Sequence, residues 1–593
     1  MQRNEVPKHL QWKTTDLFES DDAWERAFTA FENKYGNYDF SVFAGKLANK
    51  ATLLACLKLI DQITREIEKI YLYANLRHHE DVRVSKNSAS VAKVGALISK
   101  IFAEFAFVEP ELTALSSEQL QAFIADSDFA EYNYRLQKIA KSKAHVLSAE
   151  EEKLLTLGSD VLGDFQSVFS MLNNANLNLP KASFQGEETQ MSHGAYGVVM
   201  RSGTREERKE WFEKYYGAYI NLIDAISQTY YSSVKADVFY KTVKKYDSCM
   251  QMAMAGEDVQ PKVYENLLKV THDALPVMHE YMRVRKTALG FDEQHMYDIH
   301  VPLVSGVEIK LPFEKAYEKV IEGLAPLGKD YQALLRQGKE QGWIDVCENE
   351  GKRCGAYSAG IYDVHPYVLL NYQETTNDIF TIAHEMGHAL HTYKSAETQP
   401  YAKADYTIFL AEIASTVNEV LLLKHLYNKS EDKQLKKSLL NYYMDMFRAT
   451  LFRQTQFAEF EQIAHAKAEA GEALTKESLN EAYYQLNKDY YGDGIVHDEQ
   501  IAYEWARIPH FYSSFYVYKY ATGIISAISI VKRILTEGEP AVQDYFTFLS
   551  SGGCTDPVSI LKKAGVDLTT KAPFEAAMKE FADTLHEFKT LLD

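Results

Sequence analysis

The sequence predicts a mainly α-helical protein, and three observations carry that reading. Apolar residues recur at three- and four-residue spacing through most of the chain from Ala23 to Gln341. Helix-start signatures punctuate them, as in Ser116…Gln119, Ser148…Glu151 and Thr204…Glu207. Period-two alternation is confined to a few short runs, too little for a large sheet.

Taken in order, helices are expected at Ala23–Tyr35, Ala51–Leu76, Ser85–Phe107, Glu118–Ser142 and Ala149–Leu172. Lys181–Ser192, polar, alternating and containing Gly186, reads as a small hairpin. The segment His193–Gly203 reads as a loop, and the boundary between an N-terminal helical lobe (1–195) and a second domain (196–593) is placed there. Helices resume through Tyr240, Gln260–Leu289 and Phe313–Gln341, interrupted by an expected strand pair at Met296–Val304 and Val307–Leu311. Next come a glycine-rich run, Cys354–Gly360, read as a flexible loop, and Pro366–Tyr372, read as a strand. That strand is either an ordinary core or edge strand or an open edge that holds an extended ligand by its backbone.

The chemistry concentrates in His384-Glu385-Met386-Gly387-His388, an H-E-x-x-H motif. On a helix the two histidines lie one turn apart on one face and can share a metal ion. Glu385 points about a quarter-turn away, placed to take a proton from a water that the metal polarises. Thr375, Thr376 and Asn377 are the N-cap candidates, and the apolar residues around the motif make this a buried helix. Catalytic zinc needs a third protein ligand and an open position. No histidine or cysteine follows at the spacing of the longer three-histidine motif. Glu412, among the apolar neighbours Phe409-Leu410-Ala411 and Ile413-Ala414, supplies a carboxylate whose burial a metal would offset. Glu419, two turns on, is expected to accept a hydrogen bond from a ligand imidazole. His391 is expected to pack rather than ligate, because a fourth protein ligand would close the open position.

This pattern, with Ala411-Glu412-Ile413-Ala414-Ser415 after the motif, resembles the thimet oligopeptidase (M3) family of zinc metallopeptidases, nearest to its bacterial oligoendopeptidase F group. The resemblance implies a two-lobed helical zincin with a deep substrate channel and a small β-sheet near the active site. It also implies one zinc ion held by His384, His388 and Glu412, Glu385 as general base, and cleavage of internal bonds in short oligopeptides. Family members carry a histidine and tyrosines near the substrate carbonyl. Here His510, Tyr512 and Tyr516 match that group, and Tyr512, Tyr516 and Tyr520 are spaced as one face of a helix, which by itself reads either as packing or as a row of donors. Neutral donors of this kind stabilise an oxyanion. Gly355, Tyr357 and Tyr520 are the expected substrate contacts.

Composition limits the partners. The 593 residues are 46% hydrophobic and 25% charged, a globular make-up. Acidic residues exceed basic ones, 83 against 64, which argues against nucleic acid or an anionic membrane. No obligatory protein partner is evident. The N-terminal residues lack an apolar leader and no run is long enough to cross a bilayer, so a cytoplasmic protein is expected. Five scattered cysteines, Cys56, Cys249, Cys347, Cys354 and Cys554, read as reduced thiols. Two rivals to the endopeptidase reading share the motif: a zinc carboxypeptidase of related helical architecture, and a non-catalytic peptide-binding protein.

Overall fold

The computed structural model describes residues 1–592, and the fold is mainly α-helical. Among these residues five strands form two small sheets: β1 (Lys181–Phe184) with β2 (Glu187–Gln190), and β3 (Ile344–Asp345), β4 (Tyr357–Ile361) and β5 (Val364–Leu369). The chain divides into two compact units, each assembled from three separated segments rather than split at one boundary.

The first unit comprises Met1–Val146, Glu308–His425 and Ile530–Val566. Its helices Asp21–Tyr35, Lys50–Glu80 and Ser85–Glu104 start close to where periodicity puts them. Trp24, Phe28, Leu53, Leu57 and Leu136 form a core that continues into Tyr367 and Leu369 of β5. The sheet order is β3-β5-β4, parallel for β3 and β5 and antiparallel for β4 and β5, with Tyr357 opposite Leu369 and a bulge between Ala359 and Ile361. The run Cys354–Gly360 is therefore largely strand, not loop: hydrogen bonding to β5 overrides its glycines. β3 is fixed by a buried ion cluster, in which Asp345 and Lys352, both 0% exposed at the side chain, pair at 2.7 Å. Arg3 donates to the same carboxylate at 2.8 Å.

The second unit comprises Leu147–Val307, Leu426–Ser529 and the segment from Asp567. Trp211, Tyr264, Phe460, Trp505 and Phe511 are buried among its helices. The β1–β2 turn is Gln185-Gly186 with φ 53° and 83°, and two left-handed residues in sequence give the primed turn that matches strand twist.

Several local expectations fail for identifiable reasons. The strand pair expected over 296–311 does not form. Asp298, 0% exposed, caps His295 N–H at 3.0 Å and takes ion pairs from Arg208 (2.7 Å) and Arg205 (3.3 Å), which winds Met296–Asp298 into a 3-10 turn. The expected loop 193–203 contains a helix, His193–Ser202, started by Ser192 and seated on buried Tyr196, Val199 and Met200. The helix expected over 118–142 breaks at Asp126, whose side chain accepts from Asp128 N–H at 2.9 Å and starts a 3-10 turn around fully buried Phe129. The one expected over 149–172 stops at Gly163 and restarts as Phe165–Met171.

Candidate active site

The motif lies on the helix Thr376–Thr398 of the first unit. Thr375 is its N-cap: the hydroxyl accepts from Asp378 N–H (3.2 Å) and Asp378 accepts from Thr375 N–H (2.9 Å), a reciprocal box. The third-ligand candidate lies on the helix Ile408–Lys429. These two helices meet backbone to backbone. A Cβ on Gly387 would stand 2.6 Å from Ser415 Cα and 2.7 Å from Ala414 O, so only glycine permits the approach. Asn418 then ties the helices, donating to Ala383 O at 3.0 Å while accepting from Tyr331 at 3.0 Å.

The crossing brings three ligand atoms together. His384 Nε2 and His388 Nε2 are 3.1 Å apart, and Glu412 Oε2 lies 3.4 Å from the first and 3.5 Å from the second. Ligands about 2.0–2.1 Å from a tetrahedral ion stand about 3.4 Å from one another. The triangle therefore has the size of a zinc site, and two imidazoles with one carboxylate are a donor set that zinc accepts. Ser415 steadies the carboxylate by donating to Glu412 Oε2 at 3.2 Å.

Electrostatics sort the groups around the triangle. Burial raises the Glu412 carboxyl, but the hydrogen bond and charge of His388, with His384, outweigh it and bring the group down to about 2. Burial lowers His384, yet Glu419, in hydrogen-bond contact with Nδ1 at 2.7 Å, and the neighbouring carboxylates carry it up to about 9. Glu385, 7% exposed, is raised by burial against the pull of both histidines. Removing Glu419 leaves the ligand imidazole free to turn. Glu419→Ala is expected to weaken zinc binding by about 10–100-fold, read by competition with a chromogenic chelator; unchanged affinity would reduce Glu419 to packing.

A model of peptidase family M3 matches residues 198–580, and one described as oligopeptidase F matches 111–178. The chain belongs to peptidase family M3. Oligopeptidase PepF of Bacillus subtilis is 41% identical over all of this chain and 88% of its own length, and an oligoendopeptidase F homolog of Lactococcus lactis is 37% identical over 100% and 98%. Among solved structures, oligoendopeptidase-F of Enterococcus faecium matches with TM-score 0.74 at 32% identity, covering 97% of this chain and 99% of that one. A Chlamydophila abortus protein described as a peptidase matches with TM-score 0.93 at 35% identity, covering 100% and 99%. Family membership makes the chain a peptide-bond hydrolase, and its oligoendopeptidase F relatives mark it as an endopeptidase.

The remaining sites of this M3 peptidase are placed as follows. β4 is the edge strand of its sheet, and Gly360 packs it onto the helix Thr376–Thr398, where a Cβ would meet Thr392 Cγ2 at 2.6 Å. Gly355 is exposed with φ 82° at the start of that edge, and its carbonyl accepts from Asn371 at 2.8 Å. The Tyr357 hydroxyl is already engaged, 2.7 Å from His79 Nδ1. His391 is packed: 1% exposed, stacked on Tyr406 at 3.8 Å and pushed by burial down to about 3. The five cysteines are unpaired. His497 contacts Asn487 Oδ1 and Gly492 O, both at 2.7 Å, and so belongs to a structural turn. The late turn Ser551-Gly552-Gly553 braces the residues that lead into the Glu412 helix, with Gly553 N–H donating to Lys403 O at 2.8 Å.

The tyrosine stripe is overturned as a helical face. Pro509–Tyr512 is a 3-10 turn, Phe515 is left-handed with φ 57°, and the helix begins only at Tyr518. The cause is Glu461, 0% exposed, whose carboxyl captures Phe515 N–H at 2.9 Å. His510, Tyr516 and Tyr520 nevertheless cluster, with ring centroids 5.6–6.0 Å apart. Tyr512 turns away, stacked on Phe169 at 4.6 Å. Burial raises Glu461 well above the ordinary carboxyl range. The folded chain therefore keeps a proton that the unfolded chain releases above its own pKa of about 4.3, and this penalty grows as pH rises. Glu461→Gln, which keeps the acceptor, is expected to melt higher than the parent protein, with the difference widening from pH 5 to pH 8. A constant difference across thermal melts would show that Glu461 ionises in the fold.

Proposed function

We propose that this M3 peptidase is a zinc-dependent oligoendopeptidase that cuts internal bonds of short, unstructured peptides in the cytoplasm. The observation that carries the reading is the triangle of His384, His388 and Glu412 with Glu385 beside it on the same helix. His384, His388 and Glu412 would hold the zinc ion, which would supply Lewis acidity to polarise a carbonyl and lower the pKa of water.

The chain's own residues supply the rest. Glu385 takes the proton of the attacking water and passes it to the departing amine. Glu419 accepts the Nδ1 proton of His384, which leaves Nε2 free as a ligand. The open edge of β4, from Gly355 through Tyr357, holds an extended peptide by backbone hydrogen bonds that ignore side-chain identity. His510, lowered by burial and so neutral, serves with Tyr516 and Tyr520 as donor to the carbonyl oxygen. Tyr512, stacked on Phe169, packs rather than donates. Among the described residues no helix is long and apolar enough to cross a membrane.

The test is mass spectrometry of an unstructured oligopeptide mixture incubated with zinc-loaded protein. Internal cuts that cease on chelation and return with zinc are expected. Loss of single C-terminal residues would move the assignment to an exopeptidase, and bound zinc without cleavage would favour a peptide-binding protein.

A further inference from the structure

The second unit holds a set of arginines that the chemistry above does not use. Arg448, Arg453 and Arg507 line one cavity of about 20 Å³, room for a single water-sized group. Arg448 lies in a helical irregularity, and Arg453 is the residue that follows it. Phe447–Phe452 is a π-turn, and its five-residue repeat brings residue 448 under residue 453, which an α-helix would point elsewhere. Arg507 ends the 3-10 segment Glu499–Arg507, which also carries Glu504.

The charges around this cavity do not cancel. Arg448 pairs with Asp445 at 3.0 Å, a carboxylate that Arg285 also approaches at 3.7 Å. Arg453 pairs with Glu504 at 2.6 Å, and Arg507 lies 3.8 Å from the same carboxylate oxygen. Glu504 also accepts from Tyr483 at 2.5 Å. One carboxylate thus serves two guanidinium groups, and Arg507 Nε is buried with no hydrogen-bond partner. Arg507 Nη1 reaches only the Tyr215 hydroxyl, at 3.3 Å. The rest of the polar lining, Tyr196, Tyr216, Tyr491 and His300, brings no second acid. Arg453 and Arg507 keep 19% and 21% side-chain exposure, so the cavity opens to solvent on their side. A guanidinium withdrawn from water without a full counter-charge is costly, and an anion would remove that cost.

We propose that this cavity is an anion subsite that receives a carboxylate of the peptide substrate, so that the enzyme selects peptides by charge as well as by extended backbone. A carboxylate offers the paired oxygens that match a guanidinium fork. Arg507 precedes by three residues in sequence His510, the donor to the substrate carbonyl in the function proposed above. Naming a peptide as the ligand rests on the function proposed above, whereas the unbalanced charge does not.

The C-terminal carboxylate and an acidic side chain share this chemistry, and matched peptides separate them. One sequence is made as the free acid, as the C-terminal amide, and as amides bearing a single glutamate at successive positions. Against the zinc-loaded enzyme, the free acid or one glutamate peptide should show a KM at least about tenfold below that of the neutral amide, the worth of one charge-assisted hydrogen bond, with kcat changed much less. Which peptide gains identifies the source. In Arg507→Gln that advantage should fall to about one. Tyr216→Phe, which leaves every charge in place, should lose part of it and serves if the first variant fails to fold. Equal KM values across the set would overturn the subsite. No cleavage of any peptide would instead defeat the function proposed above, and calorimetric titration of the acid and amide peptides into Glu385→Gln would then decide, equal affinities refuting the anion pocket.

Discussion

Glu385→Gln is expected to lower kcat by about 10³–10⁴-fold, at or near the upper end of what a positioned base contributes, while zinc content and peptide affinity stay near those of the parent enzyme. The reasoning is geometric. Glu385 is absent from the ligand triangle, whose members are His384, His388 and Glu412, so the amide takes nothing from the metal. It has nearly the same shape in a site where the side chain is 7% exposed, so packing is preserved. On the mechanism proposed above, what is lost is the ability to accept a proton from water and return it to the leaving amine. A base that acts only along the reaction coordinate lowers kcat and kcat/KM together. The decisive data are single-turnover rates on one peptide, with metal content measured on the same preparation. Turnover within tenfold of the parent enzyme would remove Glu385 from the chemistry.

That these side chains come together was legible in the sequence, because the grouping depends on residue type at helical spacing. His384, Glu385 and His388 declare a shared face by their numbering alone, and Glu412 followed from an acid placed among apolar neighbours. Glu419 was legible for the same reason, two turns from Glu412. What the sequence did not disclose are the residues whose role is to let backbones approach or to hold a ligand still. Gly387, Ser415 and Asn418 were part of the family pattern or adjacent to it, yet their function appears only when the two helices are seen to touch. A glycine inside a buried helix, where alanine is the better helix former, was the available signal. The tyrosine segment failed for a long-range reason. Glu461 lies about fifty positions upstream, and no local pattern announces that its carboxyl takes the amide of Phe515 and interrupts the helix. The same holds for Asp298, whose partners Arg205 and Arg208 are distant in sequence and replace an expected strand with a turn. Periodicity reports which face is buried, and it is silent about buried charge satisfied from afar.

Gly387→Ala separates close helix packing from intrinsic helix preference, because the two predict opposite signs. By propensity alone the substitution stabilises a helix interior by about 0.8–1.0 kcal/mol. Here the added methyl would stand 2.6 Å from Ser415 Cα, 2.7 Å from Ala414 O and 2.8 Å from Ser415 N, all backbone atoms that no side-chain rotation can clear. The helices must part, and overpacking of this kind costs about 1–3 kcal/mol or more. The same movement reaches the metal site. Glu412 lies three residues before Ser415, and Glu419 four residues after it, so displacing that helix opens the 3.4 and 3.5 Å edges of the ligand triangle and stretches the 2.7 Å bond to His384. Ligand distances tolerate about 0.2 Å, less than the clash demands. Zinc affinity should therefore fall by at least about 100-fold, more than loss of an outer hydrogen bond alone would cause. The two effects are measured independently, by thermal melts of the metal-free proteins and by chelator competition. A variant that melts above the parent protein and binds zinc normally would mean that the helices are free to separate, and that the metal site does not depend on this contact.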